Sequence, residues 1–419
     1  MGTFTFPRPT KNHWRGTRHA AMKAVELFTP QMYVTCMGTG VLAVLLNRNP
    51  YQFRGLETIS TVVFVLDLVL FTTITLTFFT RWIMFPAPTR KMFDSDVDQT
   101  TYLSCGTIAA ATLVELVTLI PGTHWHNWGY AAYALWWAAV VLSLFAGSVV
   151  YWILIRDEEV HLGNLSPTLL YPVTGILATS ASGAVVVSYN TDIGPGLGVG
   201  VAVVSYLLLG MGFFLAVLTL TAYFTRLLTN QTPDPKKIAA QFIPVAALAN
   251  AAYAFDELGY VAGPKKRLLQ TFGKGPTAVS GVGDGMYAMG IVWSLMCWGF
   301  SVYWMIIGFL TFFSDAKKSK FSLYTWSAAY PIGAFGVACT QFAEGFDSTA
   351  FRVVSTIICI FSVIYWLFLV VYTLPLLISG ELLLQNGRHK GEEEEEEEEG
   401  VRDGEGDGGG SSRRTTSDV

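Results

Sequence analysis

The sequence predicts an all-α polytopic membrane protein, ten transmembrane helices arranged as five helical hairpins around a central pore. Three observations predict it. Charged residues are 14% of the chain and hydrophobic ones 52%, whereas a soluble domain carries about 25% charged residues. The charges cluster between long apolar runs instead of spreading evenly. The runs also alternate in character, small and lightly hydroxylated against uniformly bulky. With a mean hydropathy of +0.44, the chain lacks the polar surface to coat a water-soluble particle, and lipid is the remaining solvent.

A bilayer core takes about 20 apolar residues per helix. Runs near that length fall at 29–47, 57–84, 101–121, 127–155, 167–188, 196–228, 238–259, 279–313, 322–343 and 349–379. In the first, Thr35, Gly38 and Thr39 share one helical face within Met37-Gly38-Thr39-Gly40. In the third, Thr101, Cys105, Ala109, Thr112 and Glu115 follow helical spacing, beside Gly106. The fifth repeats the theme with Thr168, Pro172, Gly175, Thr179 and Ser182. The seventh carries Pro244, Ala247, Ala251 and Ala254 beside Asn250. In the ninth, Tyr330, Gly333, Val337, Thr340 and Gln341 share a face beside Pro331. Most even-numbered runs are more uniformly bulky.

Such stripes have two physical readings. Small residues let helix backbones approach closely in lipid. Alternatively, prolines that remove backbone hydrogen bonds at one depth in several helices point to a shared cavity, because freed backbone groups survive in a membrane only against protein or water. A short repeat favours stacked hairpins with odd helices inside and even helices outside. Tyr171-Pro172-Val173-Thr174-Gly175, Phe242-Ile243-Pro244-Val245-Ala246 and Tyr330-Pro331-Ile332-Gly333-Ala334 resemble one another, one per helix pair. On this reading Thr35, Gly38, Thr39, Gly40, Gly106, Thr112, Pro172, Gly175, Thr179 and Pro244 line the path.

Ionisable groups inside a membrane are functional candidates. Asp67 and Glu115 lie deep in their runs, and Glu115 sits on the polar stripe, which makes it the candidate for proton coupling. Asp256, Glu257 and Glu344 fall near run ends, where interface solvation accounts for them, and Asp284 lies early in a long run. No Lys or Arg is expected deep in any run, so an anion path would rely on hydroxyls and backbone N–H groups. Weak sites of that kind suit passage.

The loops set orientation. One side holds Arg8, Lys11, Arg15, Arg18, Lys23, Arg81, Arg90, Lys91, Arg156, Arg226, Lys236, Lys237, Lys317, Lys318 and Lys320. The other has fewer cations, with an exception at Lys265, Lys266, Arg267 and Lys274. The positive-inside rule then places both termini in the cytosol. The chain is expected to have three parts. They are a polar, basic cytosolic segment at 1–28 with no visible secretory signal peptide, a transmembrane transporter domain at 29–379, and a disordered acidic cytosolic tail at 380–419. The net charge of −4 comes from that tail, where Glu392 to Glu399 are consecutive. The rest is mildly basic, and no nucleic-acid partner is implied.

No cofactor or metal is expected. Cys36, Cys105, Cys297, Cys339 and Cys359 all fall in apolar runs without a CxxC pair. The six histidines, His13, His19, His124, His126, His161 and His389, sit in loops or tails. A candidate triad, a paired-histidine motif and a phosphate-binding glycine loop are all missing, which argues against an enzyme.

At several places the chain resembles the tellurite-resistance/dicarboxylate transporter family, of the voltage-dependent anion channel superfamily. That family includes fungal malic acid transporters, fungal sulfite efflux pumps and plant slow anion channels. Phe28-Thr29-Pro30 with Met37-Gly38-Thr39-Gly40 is similar to the family's opening helix. Phe53-Arg54-Gly55-Leu56 and Arg81 to Pro86 resemble the malate branch; Pro235 to Gly259 and Trp298-Gly299-Phe300 resemble the sulfite branch. Trp326 to Gly333, Phe346-Asp347-Ser348 and Ala350-Phe351-Arg352-Val353 resemble the last hairpin of both. The resemblance implies five hairpins around a pore, often as a homotrimer, carrying a small inorganic or organic anion across the plasma membrane, with sulfite efflux ahead of C4-dicarboxylate transport. It also implies an aromatic gate at Tyr330, with Pro331 and Phe335 beside it. Tyrosine stands there where family members usually have phenylalanine.

Overall fold

The computed structural model describes residues 17–379 apart from 96, 126, 157–164, 230–234, 273–278 and 316–320. The expected acidic tail and most of the basic N-terminal segment lie outside the described residues. The helices are α1 (Thr17–Glu26), α2 (Tyr33–Asn47), α3 (Leu56–Met84), α4 (Pro86–Ser95), α5 (Val97–Leu119), α6 (Pro121–His124), α7 (Trp128–Arg156), α8 (Tyr171–Tyr189), α9 (Pro195–Thr229), α10 (Ile243–Tyr260), α11 (Val282–Asp315), α12 (Ala329–Gly345) and α13 (Thr349–Ile378). Between α10 and α11 a two-stranded antiparallel hairpin pairs β1 (Thr271–Phe272) with β2 (Val279–Ser280). The chain divides into two compact units, residues 30–372 and the terminal stretches 1–29 with 373–419. The larger unit, 30–372, holds the packed helices and the cavity between them.

Among the described residues, eight helical segments are long and apolar enough to cross a membrane. Two of the ten expected spans fall short alone: α2 has 15 residues and α12 has 17. Each is preceded by a 3-10 turn, Pro30–Met32 and Leu323–Ala328.

Burial separates two layers. The spans containing α5, α8 and α10 are 83%, 100% and 94% buried, while those of α3, α7, α9, α11 and α13 are 17% to 39% buried. In α2 and α12 nearly every residue is buried. The buried five close into a ring: α2 packs on α5, α5 on α8, α8 on α10, α10 on α12 and α12 on α2. Each bulky helix covers a seam. α3 lies on α2 and α5, α7 on α5 and α8, and α9 on α8 and α10. α11 lies on α10 and α12. α13 bonds to both α12 and α2, through Cys339 Sγ to Phe351 O and through Trp366 Nε1, which donates to Thr39 Oγ1 at 3.0 Å. The small-residue runs form the ring because closely spaced helices need small side chains. The exposed faces of α3, α9 and α13 carry Ile83, Leu207, Phe214 and Ile364, suited to acyl chains.

The prolines are placed differently from expectation. Pro172 and Pro244 sit in the first turn of α8 and α10, just after the 3-10 turns Pro167–Leu170 and Pro235–Phe242. Pro331 likewise lies in the first turn of α12. A first-turn proline leaves the α-helical ladder beyond it intact and loses at most one bond back to the preceding 3-10 turn. The repeat therefore marks a 3-10 to α junction near one end of the ring, not a break at mid-membrane. α2 shares the junction without the proline; α5 runs straight.

Candidate functional site

A narrow cavity lies inside the ring, with room for about one water molecule. Its walls are Val41 of α2, Thr112 and Glu115 of α5, Ala249, Asn250 and Tyr253 of α10, and Tyr330, Ala334 and Val337 of α12. Thr112 and Glu115 are three apart, as are Asn250 and Tyr253, and Tyr330, Ala334 and Val337 step by four and three. Each set is one helical stripe turned to the axis. The Tyr330 hydroxyl donates to Asn250 Oδ1 at 3.1 Å, joining the neighbouring helices α12 and α10 at the cavity wall. Asn250 Nδ2 in turn donates to Ala246 O at 2.8 Å, which fixes the amide.

Of the residues expected on the path, Thr112, Glu115 and Tyr330 line the cavity. The others pack helices together. A Cβ on Gly38 would meet Ala329 Cβ at 3.0 Å, and one on Gly40 would meet Asp67 Oδ2 at 2.7 Å and Thr112 Cγ2 at 3.0 Å. Gly106 faces the Tyr33 ring, Gly175 faces Thr107 of α5, and the Pro172 carbonyl faces Gly147 of α7. Thr35 Oγ1 donates to Met32 O at 2.8 Å; Thr39 Oγ1 donates to Thr35 O and accepts from Trp366 of α13. Thr179 is buried with its hydroxyl on Gly175 O and its carbonyl accepting from Trp136 Nε1 at 2.9 Å. Pro244 and Pro331 are buried in their first turns. Phe335 stacks on Trp298 of α11, centroids 4.8 Å apart, on the outward side of α12. α8 thus completes the ring without lining the cavity, because its small residues serve contact with α5 and α7.

Asp67 on α3 is fully buried against Gly40, outside the cavity, and both carboxyl oxygens lack a hydrogen-bond partner among the described residues.

Charged collars flank the cavity. Where the inner helices begin, Lys237 Nζ donates to Asp98 Oδ2 at 2.9 Å, and Thr168 Oγ1 donates to Asp98 Oδ1 at 2.6 Å. Tyr102 packs there between Tyr171 and Tyr324, at 5.5 and 6.1 Å. Where they end, Arg48 is buried. Its Nη1 donates to the Tyr189 hydroxyl, and its Nη2 donates to Gln341 Oε1 at 3.0 Å and Glu344 Oε2 at 3.4 Å. Burial works against its charge, but the oxygens of Tyr253, Tyr189, Glu344 and Glu257 outweigh that and push the guanidinium's pKa up, so it stays charged.

Two expectations fail at this collar. Positive charge does reach inward: Arg48 follows α2 directly and its long side chain folds back under the ends of α8 and α12. Glu257 is not at a wet interface. It is 1% exposed, accepts from Gln341 Nε2, and is covered by a π-turn, Val261–Lys265, that continues α10. Two of the four cations of the 260–278 loop are held at or beside that turn, while Lys274 lies outside the described residues. Lys265 Nζ sits 3.9 Å from Glu257 Oε1 and 3.8 Å over the Tyr189 ring, while Lys266 donates to Asn190 O at 3.4 Å. These cations are engaged with protein. Asn250 was visible beside its stripe, but Tyr253 and Arg48 carry no sequence signal beyond their positions near a run's end.

Five buried helices covered by five apolar ones, around a narrow cavity with polar lining, define a multi-pass membrane protein of the channel and transporter class. Residues 27–374 match the model of the voltage-dependent anion channel family, and the chain belongs to that family. Among curated relatives, it is 27% identical to a sulfite efflux pump of Arthroderma benhamiae over 80% of this chain and 87% of the relative. It is 25% identical to a sulfite efflux pump of Candida albicans, over 80% and 72% respectively. Identity is 21% to the malic acid transport protein of Schizosaccharomyces pombe, over 80% and 75%.

Proposed function

We propose that this protein moves sulfite out of the cell across the plasma membrane, through the lumen gated by Tyr330. The carrying observation is that lumen. It is faced by Thr112, Asn250, Tyr253 and Tyr330, groups that can solvate a small anion without holding it, and buried positive charge waits at its far end in Arg48. The sulfite efflux relatives supply the substrate. On this reading ten segments cross the bilayer, α2 and α12 completing their crossings with the preceding 3-10 turns. Residues 29–379 are the membrane domain, 1–28 and 380–419 are cytosolic, and the collar at Asp98 and Lys237 faces the cytosol. Three copies assemble side by side, each with its own lumen.

Glu115 is the proton-coupling residue in this scheme. An ionised carboxylate in so narrow a lumen repels an anion, so its protonation clears the way. It shares the lumen with Tyr253 of α10 and Tyr330 of α12, and lies within electrostatic reach of Arg48 and Glu257. The malic acid transport relative supports a second reading, a C4-dicarboxylate as cargo on the same path. Efflux of labelled sulfite and malate from proteoliposomes, under imposed voltage and pH gradients, tests both. Sulfite flux above malate flux is expected. Malate flux alone reverses the order, and flux of neither under any gradient ends the proposal.

A further inference from the structure

Arg48 and Glu257 do more than tie helix ends together. The Arg48 guanidinium commits both terminal nitrogens to Tyr189, Gln341 and Glu344, yet its Nε is buried without a hydrogen-bond partner among the described residues. The Tyr253 hydroxyl, which lines the cavity, is likewise buried without one. It lies within electrostatic reach of Arg48, Glu115, Glu257 and Tyr189. A native interior seldom leaves two such groups unsatisfied side by side, and each such group needs an explanation. Both can donate, and Tyr253, which lines the cavity, lies within electrostatic reach of Arg48. An oxyanion is the ligand that accepts from an arginine N–H and a phenol together.

Glu257 lies one helical turn beyond Tyr253. Gln341 Nε2 donates to its Oε2, while its Oε1 has no hydrogen-bond partner among the described residues and faces Lys265 Nζ at 3.9 Å. A buried carboxylate beside Lys265 and within electrostatic reach of Arg48 is an anion fixed to the protein. It neutralises the positive charge that a mobile anion would otherwise meet, and a mobile anion must compete with it.

We infer that Arg48 and Tyr253 form an oxyanion-binding station at the far end of the lumen, and that Glu257 is its tethered competitor, yielding the cations as the mobile anion arrives. All five inner helices contribute to this neighbourhood: Arg48 from α2, Glu115 from α5, Tyr189 from α8, Tyr253 and Glu257 from α10, and Gln341 and Glu344 from α12. The station sets how tightly an anion is held before release, which the single-file lumen cannot do. It rests on reading the lumen as an anion path, but its test does not require transport.

The test is anion-dependent thermal stabilisation of the purified full chain in detergent, titrated with sodium sulfite and, separately, sodium malate at constant ionic strength. The wild type is expected to show a saturable rise in Tm. E257Q is expected to lower the half-saturating concentration about tenfold, a gain that misfolding cannot imitate. Y253F is expected to raise it several-fold, R48K to raise it further by losing the Nε donor while keeping the charge, and R48Q to abolish saturation. A wild type that shows no saturable rise overturns the station, as does an unchanged half-saturating concentration in E257Q or R48K. If transport by the wild type fails while these binding shifts hold, the proposed function falls and the station stands.

Discussion

Tyr330 of α12 and Asn250 of the neighbouring α10 are joined at the cavity wall: the phenol donates to the amide oxygen at 3.1 Å. On the proposed reading the ring blocks the lumen, and the hydroxyl adds a latch that a phenylalanine at the same place would lack. Tyr330→Phe should remove one hydrogen bond, about 1 kcal/mol, and raise anion flux about fivefold by shifting the closed–open balance. Tyr330→Ala should raise it further. Equal flux in all three correctly inserted proteins, measured in proteoliposomes, removes the gate assignment.

Gly40 is a position where two neighbours converge. An added Cβ would lie 2.7 Å from Asp67 Oδ2 and 3.0 Å from Thr112 Cγ2. Gly40→Ala should therefore force α2 away from α3 and α5 and cost about 1–3 kcal/mol, read as a lower Tm in detergent. Shortening one neighbour with Asp67→Ala should recover part of that loss in the double variant. Simple additivity of the two changes would mean that the contact is not what makes glycine necessary.

Asp67 offers a test in the opposite direction. Its carboxyl oxygens are buried with no hydrogen-bond partner among the described residues. Replacing an unsatisfied polar group by an apolar one of the same shape removes a penalty of about 1–3 kcal/mol. Asp67→Leu should raise Tm without changing which anions are carried. A fall in Tm would show that the carboxyl is stabilising where it stands.

Glu115 should distinguish driving forces. In Glu115→Gln the lumen keeps its shape but loses the proton that can come and go. Flux driven by a pH gradient should drop tenfold or more, while flux driven by voltage persists. Equal losses under both gradients would make Glu115 a packing residue.

The small residues show how far the site was legible in sequence. The stripe on α5 pointed at Thr112 and Glu115, and these do face the lumen. The stripe on α8 looked the same in sequence, yet Gly175 and Thr179 face α5 and α7. Close helix packing and pore lining both call for small residues at helical spacing, so the pattern alone cannot say which is served. The prolines posed a similar ambiguity, between a mid-membrane break and a first helical turn.

The sequence by itself determined the lipid-embedded helical character and the division into small inner and bulky outer helices. Apolar length and side-chain volume act locally and leave their mark in every run. Only the tertiary structure decided which stripes face the axis, how Tyr330 meets Asn250 80 residues away, and how Arg48 comes to lie beside Gln341, 293 residues on. Those relations depend on how each helix is rotated within a closed ring, and rotation is settled by neighbours from distant parts of the chain.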